Sequence, residues 1–297
     1  MKIRYRRATP DDIRCSRRLA EPDRALMSGA CWANLPELLE DLWMRERILL
    51  CVFEDIDAGR LISMGGTAFL RPEFLSRAVA ANAGILGPAL DEEARGRPAL
   101  LNQKQVAESN RQQDLRILNF FGRPIGIDLS KPERFEILGT WTEAWNFFHK
   151  GFGLREIWRD STDPDMTKIL IRIGFRPFQP RALPSGKPAM LLQFTREMAV
   201  ESTPSWPASA MFAMRPRFGF SKGERQLLEA ALLDCSDRDA ARQLGLSAEA
   251  MKKRWRSIYS KVSRVDRELL PSDVAGADRR RLLLQTLRNN LQELRPY

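Results

Sequence analysis

The chain has 297 residues, 43% hydrophobic and 29% charged, which is material for one large domain with a small one or for two of moderate size, and not for a disordered chain. A single histidine and four scattered cysteines without a CxxC pair speak against zinc chemistry and multi-histidine catalysis, so no metal and no cofactor is assigned and the cysteines read as small buried residues of a reduced compartment. The net charge of +10 invites a polyanionic partner, and it is unevenly placed: residues 215–297 hold 18 Lys/Arg against 11 Asp/Glu, the rest of the chain 30 against 27.

The basic opening Met1–Arg7 lacks the apolar region of a secretory signal, and no run of about 18 apolar residues is available to cross a bilayer; a cytoplasmic protein without a membrane partner is expected. Lys2–Arg7 reads as a short strand. Thr9-Pro10-Asp11-Asp12 starts a helix, with Thr9 as N-cap and Pro10 in the first position. Leu35–Glu46 is helical in pattern, and Ile48–Phe53 and Leu61–Leu70 are strands joined through Asp55–Gly59. Residues 88–114 are polar and read as helix or long loop. Leu115–Phe121 is a buried strand, and Arg134–Phe148 is a helix carrying Phe135, Leu138, Trp141, Trp145 and Phe148 at spacings of three and four. Ile157–Asp160 and Leu191–Phe194 are further strands, with a helix at Pro164–Ile173 between them. This alternation predicts an α/β or α+β domain over residues 1–199. Pro and Ser in Glu201–Pro207, and Arg215-Pro216-Arg217-Phe218-Gly219, mark a linker over 200–219.

Three capped helices follow in close succession. Ser221 and Glu224 form a capping box ahead of Leu227, Leu228 and Ala231. Ser236 and Asp239 open a second helix, with Ala240 and Leu244 on its inner face. Gly245-Leu246-Ser247 turns into a third, where Gly245 suits a left-handed C-cap and Ser247 an N-cap. On that third helix Met251, Trp255, Ile258 and Val262 share one side, Glu249, Lys253, Arg256 and Ser260 lie opposite with Lys252 beside them, and Arg254 and Lys261 sit on a flank. Short helices joined by a Gly-containing turn make a small all-α helix-turn-helix domain over 220–265. Its cationic outer face predicts double-stranded DNA as partner, with Lys252, Lys253 and Arg256 toward bases, Arg254 and Lys261 toward phosphates, and Ser247 and Ser260 as further DNA contacts. A final amphipathic helix over 278–295 carries Leu283, Leu284, Leu287, Leu291 and Leu294 on one face, for a homodimer interface or for packing on its own domain. Arg279, Arg280 and Arg281 near its start oppose the helix dipole, so a phosphate or an acidic surface is expected to compensate.

The run Phe220-Ser221-Lys222-Gly223-Glu224-Arg225, then Ala240-Ala241-Arg242-Gln243-Leu244-Gly245-Leu246-Ser247 and Met251-Lys252, resembles the LuxR-type helix-turn-helix family over about 45 residues. Ala250-Met251 stands where that pattern has Thr-Val, and Trp255 where Val is usual. The resemblance implies a DNA-binding transcription regulator, commonly dimeric, with Lys252, Lys253 and Arg256 on the recognition helix.

Two fragments of the N-terminal domain, Lys2–Asp12 and Ile169-Leu170-Ile171-Arg172-Ile173-Gly174-Phe175-Arg176-Pro177, resemble the opening and a late segment of GNAT acetyltransferases. That family's Q/R-x-x-G-x-G/A loop, whose backbone N–H groups hold the pyrophosphate of acetyl-CoA, is not found. Gly122-Arg123-Pro124-Ile125-Gly126 follows a strand, but Pro124 removes a donor, and Gly151-Phe152-Gly153 fits a helix C-cap. No general base stands out either. The expectation is therefore a non-enzymatic regulator whose N-terminal domain senses a small-molecule effector or dimerises. An acetyltransferase fused to a DNA-binding domain, and a regulator responsive to an acyl-homoserine lactone, stay open. Trp141, Trp145, Phe148, Phe120 and Phe121 are core residues in pattern, with an apolar ligand pocket as the other use for them.

Overall fold

A computed structural model describes residues 2–126, 134–183, 187–201, 206–212, 214–233, 235–271 and 276–297. The chain forms two compact units, Met1–His149 with Gly153–Phe212, and Lys150–Phe152 with Ala213–Tyr297.

The larger unit begins with β1 (Ile3–Arg7), α1 (Pro10–Arg14) and α2 (Ser16–Ala20). The Thr9 hydroxyl accepts from Asp12 N–H while the Asp12 carboxylate accepts from Thr9 N–H, so the cap acts in both directions. A 3-10 turn (Glu21–Leu26), α3 (Gly29–Ala33) and α4 (Leu35–Met44) lead to the hairpin β2 (Ile48–Asp55) and β3 (Arg60–Phe69). The polar stretch 88–114 resolves into α6 (Leu86–Ala94) and α7 (Gln103–Arg111), preceded by α5 (Pro72–Ala80), which the sequence pattern did not announce. Then come β4 (Leu115–Phe121), α8 (Arg134–His149), β5 (Leu154–Ser161), α9 (Pro164–Arg172), β6 (Arg176–Ala182), β7 (Pro188–Thr195) and α10 (Arg196–Glu201).

The seven strands are ordered β1-β2-β3-β4-β5-β7-β6. Only β4 and β5 pair in parallel, with α8 as their crossover, and the other neighbours are antiparallel. The unexpected strand β6 carries Pro177 and Pro180, which can supply no ladder N–H. Its place at the sheet edge, with a bulge between Pro177 and Gln179, makes that tolerable. Alternate side chains divide the sheet into two faces. Leu50, Val52, Met64, Leu118 and Trp158 point into the main core with Ile13, Leu19, Leu39 and Leu86 from the helices before β4. The other face carries α8 and α9.

In the smaller unit, α11 (Lys222–Leu232), α12 (Asp237–Gln243) and α13 (Ala248–Val265) each open on a serine, Ser221, Ser236 and Ser247, whose hydroxyl accepts the N–H three residues on. Gly245 has φ +60°, and Met251, Trp255, Ile258 and Val262 are all buried. The helix expected over 278–295 is α14 (Gly276–Asn289) followed by a separate 3-10 turn, Leu291–Leu294, because Asn290 leaves helical geometry at φ −127°, ψ 54°. Both pieces pack on α11, which buries Leu283, Leu287, Leu291 and Leu294 inside the unit. The linker reading is also too plain: α10 runs to Glu201 and a 3-10 turn occupies Trp206–Ala210, while Ser202-Thr203-Pro204-Ser205 lie outside the described residues.

Candidate active site

Parallel β4 and β5 pair from Leu115 opposite Leu154, shift register after Leu115, and run from Arg116 opposite Glu156 to Asn119 opposite Arg159, where the pairing stops. Phe120 and Phe121 remain paired with Gly66 and Gly65 of β3. Phe121 then takes φ +58° and Gly122 φ +100°, which turns the chain away from β5. Crevices in α/β sheets open at such carboxyl ends of parallel strands. Gly66 lets the Phe120 ring lie against the sheet, since a Cβ there would stand 2.1 Å from it.

The last register row places Leu49, Thr67, Asn119 and Arg159 side by side on β2, β3, β4 and β5. At about 4.8 Å between strands, Thr67 and Arg159 are roughly 10 Å apart, with Asn119 between them. These residues form one wall of a cavity of about 120 Å3, roofed by Trp141, Trp145, Phe148 and His149 of α8 with Met166 and Leu170 of α9. The five aromatic residues singled out in the sequence all line it.

His149 is the only imidazole in the chain. Its Nδ1 lies 3.0 Å from the Trp145 carbonyl and its Nε2 2.8 Å from Thr67 Oγ1. A carbonyl only accepts, so the proton belongs on Nδ1, and Nε2 accepts from the threonine hydroxyl. The ring also stacks on the Trp145 indole, centroids 3.8 Å apart at 16°. Arg159 is buried, donates from Nη2 to the Phe121 carbonyl, and has no acceptor for Nε among the described residues. Burial pulls its pKa down, and Asp23 and Asp160 oppose this. Desolvation raises the pKa of buried Asp23 in turn, against the attraction of Arg159. The partly exposed Asn119 side chain makes no hydrogen bond among the described residues. An orphaned buried donor costs about 1–3 kcal/mol, so Arg159 Nε is a donor waiting for an oxygen, and the partly exposed Asn119 amide offers a second donor at the same wall. Asp160, next in β5, points to the other face. It accepts from Ile85 N–H and Leu86 N–H, both at 2.8 Å, and from Arg181 at 2.7 Å.

The residues chosen in the sequence as DNA contacts lie on the smaller unit. Lys252, Lys253, Arg256 and Ser260 are exposed on α13, with Arg256 3.6 Å from Glu249. Ser247 is committed as the helix cap. Arg254 donates to the Gly223 carbonyl at 3.3 Å, and Lys261 is ion-paired with Glu224 at 2.6 Å, so both flank cations brace α13 against the start of α11. The arginines of α14 are compensated within the unit: Arg280 pairs with Asp237 at 2.8 Å and lies over Trp255, Arg281 pairs with Asp278, and Arg279 lies over Tyr259. None of the chosen residues borders the cavity. The residues that do, Thr67, Asn119, His149 and Arg159, escaped the sequence reading because they come from four elements. The one available signal was a lone histidine ending an aromatic helix.

No family model and no curated protein matches the chain. Among solved structures, the chain is similar to aminoglycoside acetyltransferase AAC(6')-Ib bound to ribostamycin and coenzyme A, at 15% identity and a TM-score of 0.37, covering 69% of this chain and 99% of that one. It is similar to a putative GNAT-family acetyltransferase from Desulfovibrio desulfuricans (10% identity, TM-score 0.37, 65% and 98% covered) and to FdhC, a nucleotide-linked sugar GNAT (9%, 0.38, 67% and 90%). Contrary to the expectation of a DNA-binding, LuxR-type regulator, none of these three neighbours is a regulator of transcription. Among the described residues no helix is long and apolar enough to cross a membrane.

Proposed function

We propose that the chain is an acyltransferase, with the larger unit as its catalytic part and the smaller, a helix-turn-helix arrangement of capped helices, as an accessory. The observation that carries this reading is the register row Thr67-Asn119-Arg159, which sets an amide, a buried guanidinium and a histidine-bound hydroxyl at one wall of an apolar cavity. An acyl chain suits the apolar walls, and its carbonyl oxygen would accept from the Asn119 amide and from Arg159 Nε. Donors fixed in advance around a carbonyl stabilise the negative charge that gathers on its oxygen during transfer.

A GNAT-like fold implies a coenzyme A thioester as acyl donor, and the residues present can hold one. Beyond β4 the N–H groups of Gly122, Arg123 and Gly126 donate to no group among the described residues, and the Arg123 guanidinium is half exposed beside Asp163 at 2.9 Å. Pro124 has no N–H, and the N–H of Ile125 is spent on the Ile62 carbonyl at 2.7 Å. Gly122, Arg123 and Gly126 would hold the diphosphate and the cavity the acyl arm; the coenzyme would supply an acyl group already activated for transfer. The protein's own part is to exclude water with Trp141, Phe148, Met166 and Leu170, to orient the carbonyl by Asn119 and Arg159, and to receive a proton at His149 Nε2.

The test is transfer from acetyl-, butyryl- and octanoyl-CoA to hydroxylamine, followed as thiol release. Arg159→Met is expected to lower kcat/KM by about 100-fold or more. Absence of transfer from all three donors would overturn the proposal.

A further inference from the structure

The first proton that His149 can take is the one on Thr67. Its Nε2 lone pair faces Thr67 Oγ1 at 2.8 Å, its Nδ1–H is fixed on the Trp145 carbonyl at 3.0 Å, and one face of the ring lies against an indole. A hydroxyl, a base bonded to it and a third group that orients the base make up an activated nucleophile. Here a main-chain carbonyl does the orienting. Thr67 also shares its register row with Asn119 and with Arg159, whose Nε has no acceptor among the described residues.

We propose that Thr67 is a nucleophile that carries the acyl group as an ester during transfer, with His149 as its base. This rests on the acyl-transfer reading and adds a covalent stage to it. Thr67 Oγ1 forms a bond to the carbonyl carbon of an activated acyl ester or thioester while its proton passes to Nε2. The bond from that carbon to the leaving oxygen or sulfur breaks, the leaving group takes the proton from Nε2, and the imidazole is neutral again with its proton on Nδ1. An amine, hydroxyl or water then attacks the Thr67 ester, gives its proton to Nε2, and Nε2 returns it to Oγ1 as the ester bond breaks. No electron changes hands. Asn119, directly beside Thr67, is the nearer donor for the carbonyl oxygen, and Arg159 stands one strand further.

The other nucleophile at the cavity, Cys51, is poorly suited. Burial pushes its thiol up to about 12, and its Sγ leans on the Gly65 carbonyl at 3.6 Å, so it is protonated at neutral pH.

The experiment exposes the full chain to p-nitrophenyl octanoate and follows nitrophenol release, then intact mass and peptide mapping. The expected result is a burst equal to the enzyme present and one octanoyl group on Thr67. Thr67→Val, nearly isosteric, abolishes both, Thr67→Ser keeps both, and His149→Gln slows the burst about 100-fold. A melting curve for each variant separates loss of fold from loss of chemistry, and the serine variant tests the proposal where the valine variant is unstable. Octanoylation of Thr67→Val at the wild-type rate would overturn the proposal. Transfer from octanoyl-CoA to hydroxylamine without any acyl-Thr67 would overturn it too while leaving the acyltransferase reading in place. Failure of both transfer and acylation would remove both.

Discussion

Glu224 gathers three donors onto one carboxylate: Ser221 N–H at 2.6 Å, Ser257 Oγ at 2.7 Å and Lys261 Nζ at 2.6 Å. Burial by itself would raise its pKa, but these partners hold it at about 2, against 4.5 for a free glutamate. A carboxyl whose folded pKa is depressed stabilises the fold fully above its unfolded value, and that contribution fades as pH falls from about 4.5 toward 2. Glu224→Gln is therefore expected to cost about 2 kcal/mol at pH 7 and much less near pH 3, as urea unfolding of both proteins at the two pH values will read. A difference that does not shrink in acid would mean that Glu224 acts by packing. Half of this residue's role was legible in the sequence. The capping box with Ser221 spans three positions, but the bond to Lys261 joins residues 37 positions apart and depends on how α13 crosses α11. Lys261 and Arg254, read from the helical wheel as free flanking cations, are spent on that crossing.

Among the elements, those with local causes were the legible ones. Serine caps and the apolar stripe of α13 follow from neighbours within one or two turns. β6 was hidden because its prolines argue against a strand unless it lies at an edge, and strand order is not a local property. The parting of β4 and β5 is likewise decided by the sheet. Gly66 holds that region open: an added methyl would meet the Phe120 ring, so Gly66→Ala is expected to destabilise the larger unit by about 1–3 kcal/mol and to weaken octanoyl-CoA binding, measured by thermal unfolding and by titration. A variant with unaltered melting would show that Phe120 has room to move.

Across the whole molecule, the division into two compact units leads to an expectation for calorimetry. Glu224→Gln should shift one transition and Gly66→Ala another; a single transition moved by both would mean that the units unfold together. The sequence by itself determined the alternating elements of the larger unit, the three capped helices of the smaller and the concentration of positive charge there, because caps, periodicity and composition are local or additive. Function inferred from that charge and from a family likeness did not hold. Only the tertiary structure brought Thr67 to His149, 82 positions away, and set Asn119 and Arg159 in one row across three strands. The physical reason is register: strand pairing fixes which side chains become neighbours and which donors are left without an acceptor, and no spacing along the chain encodes it.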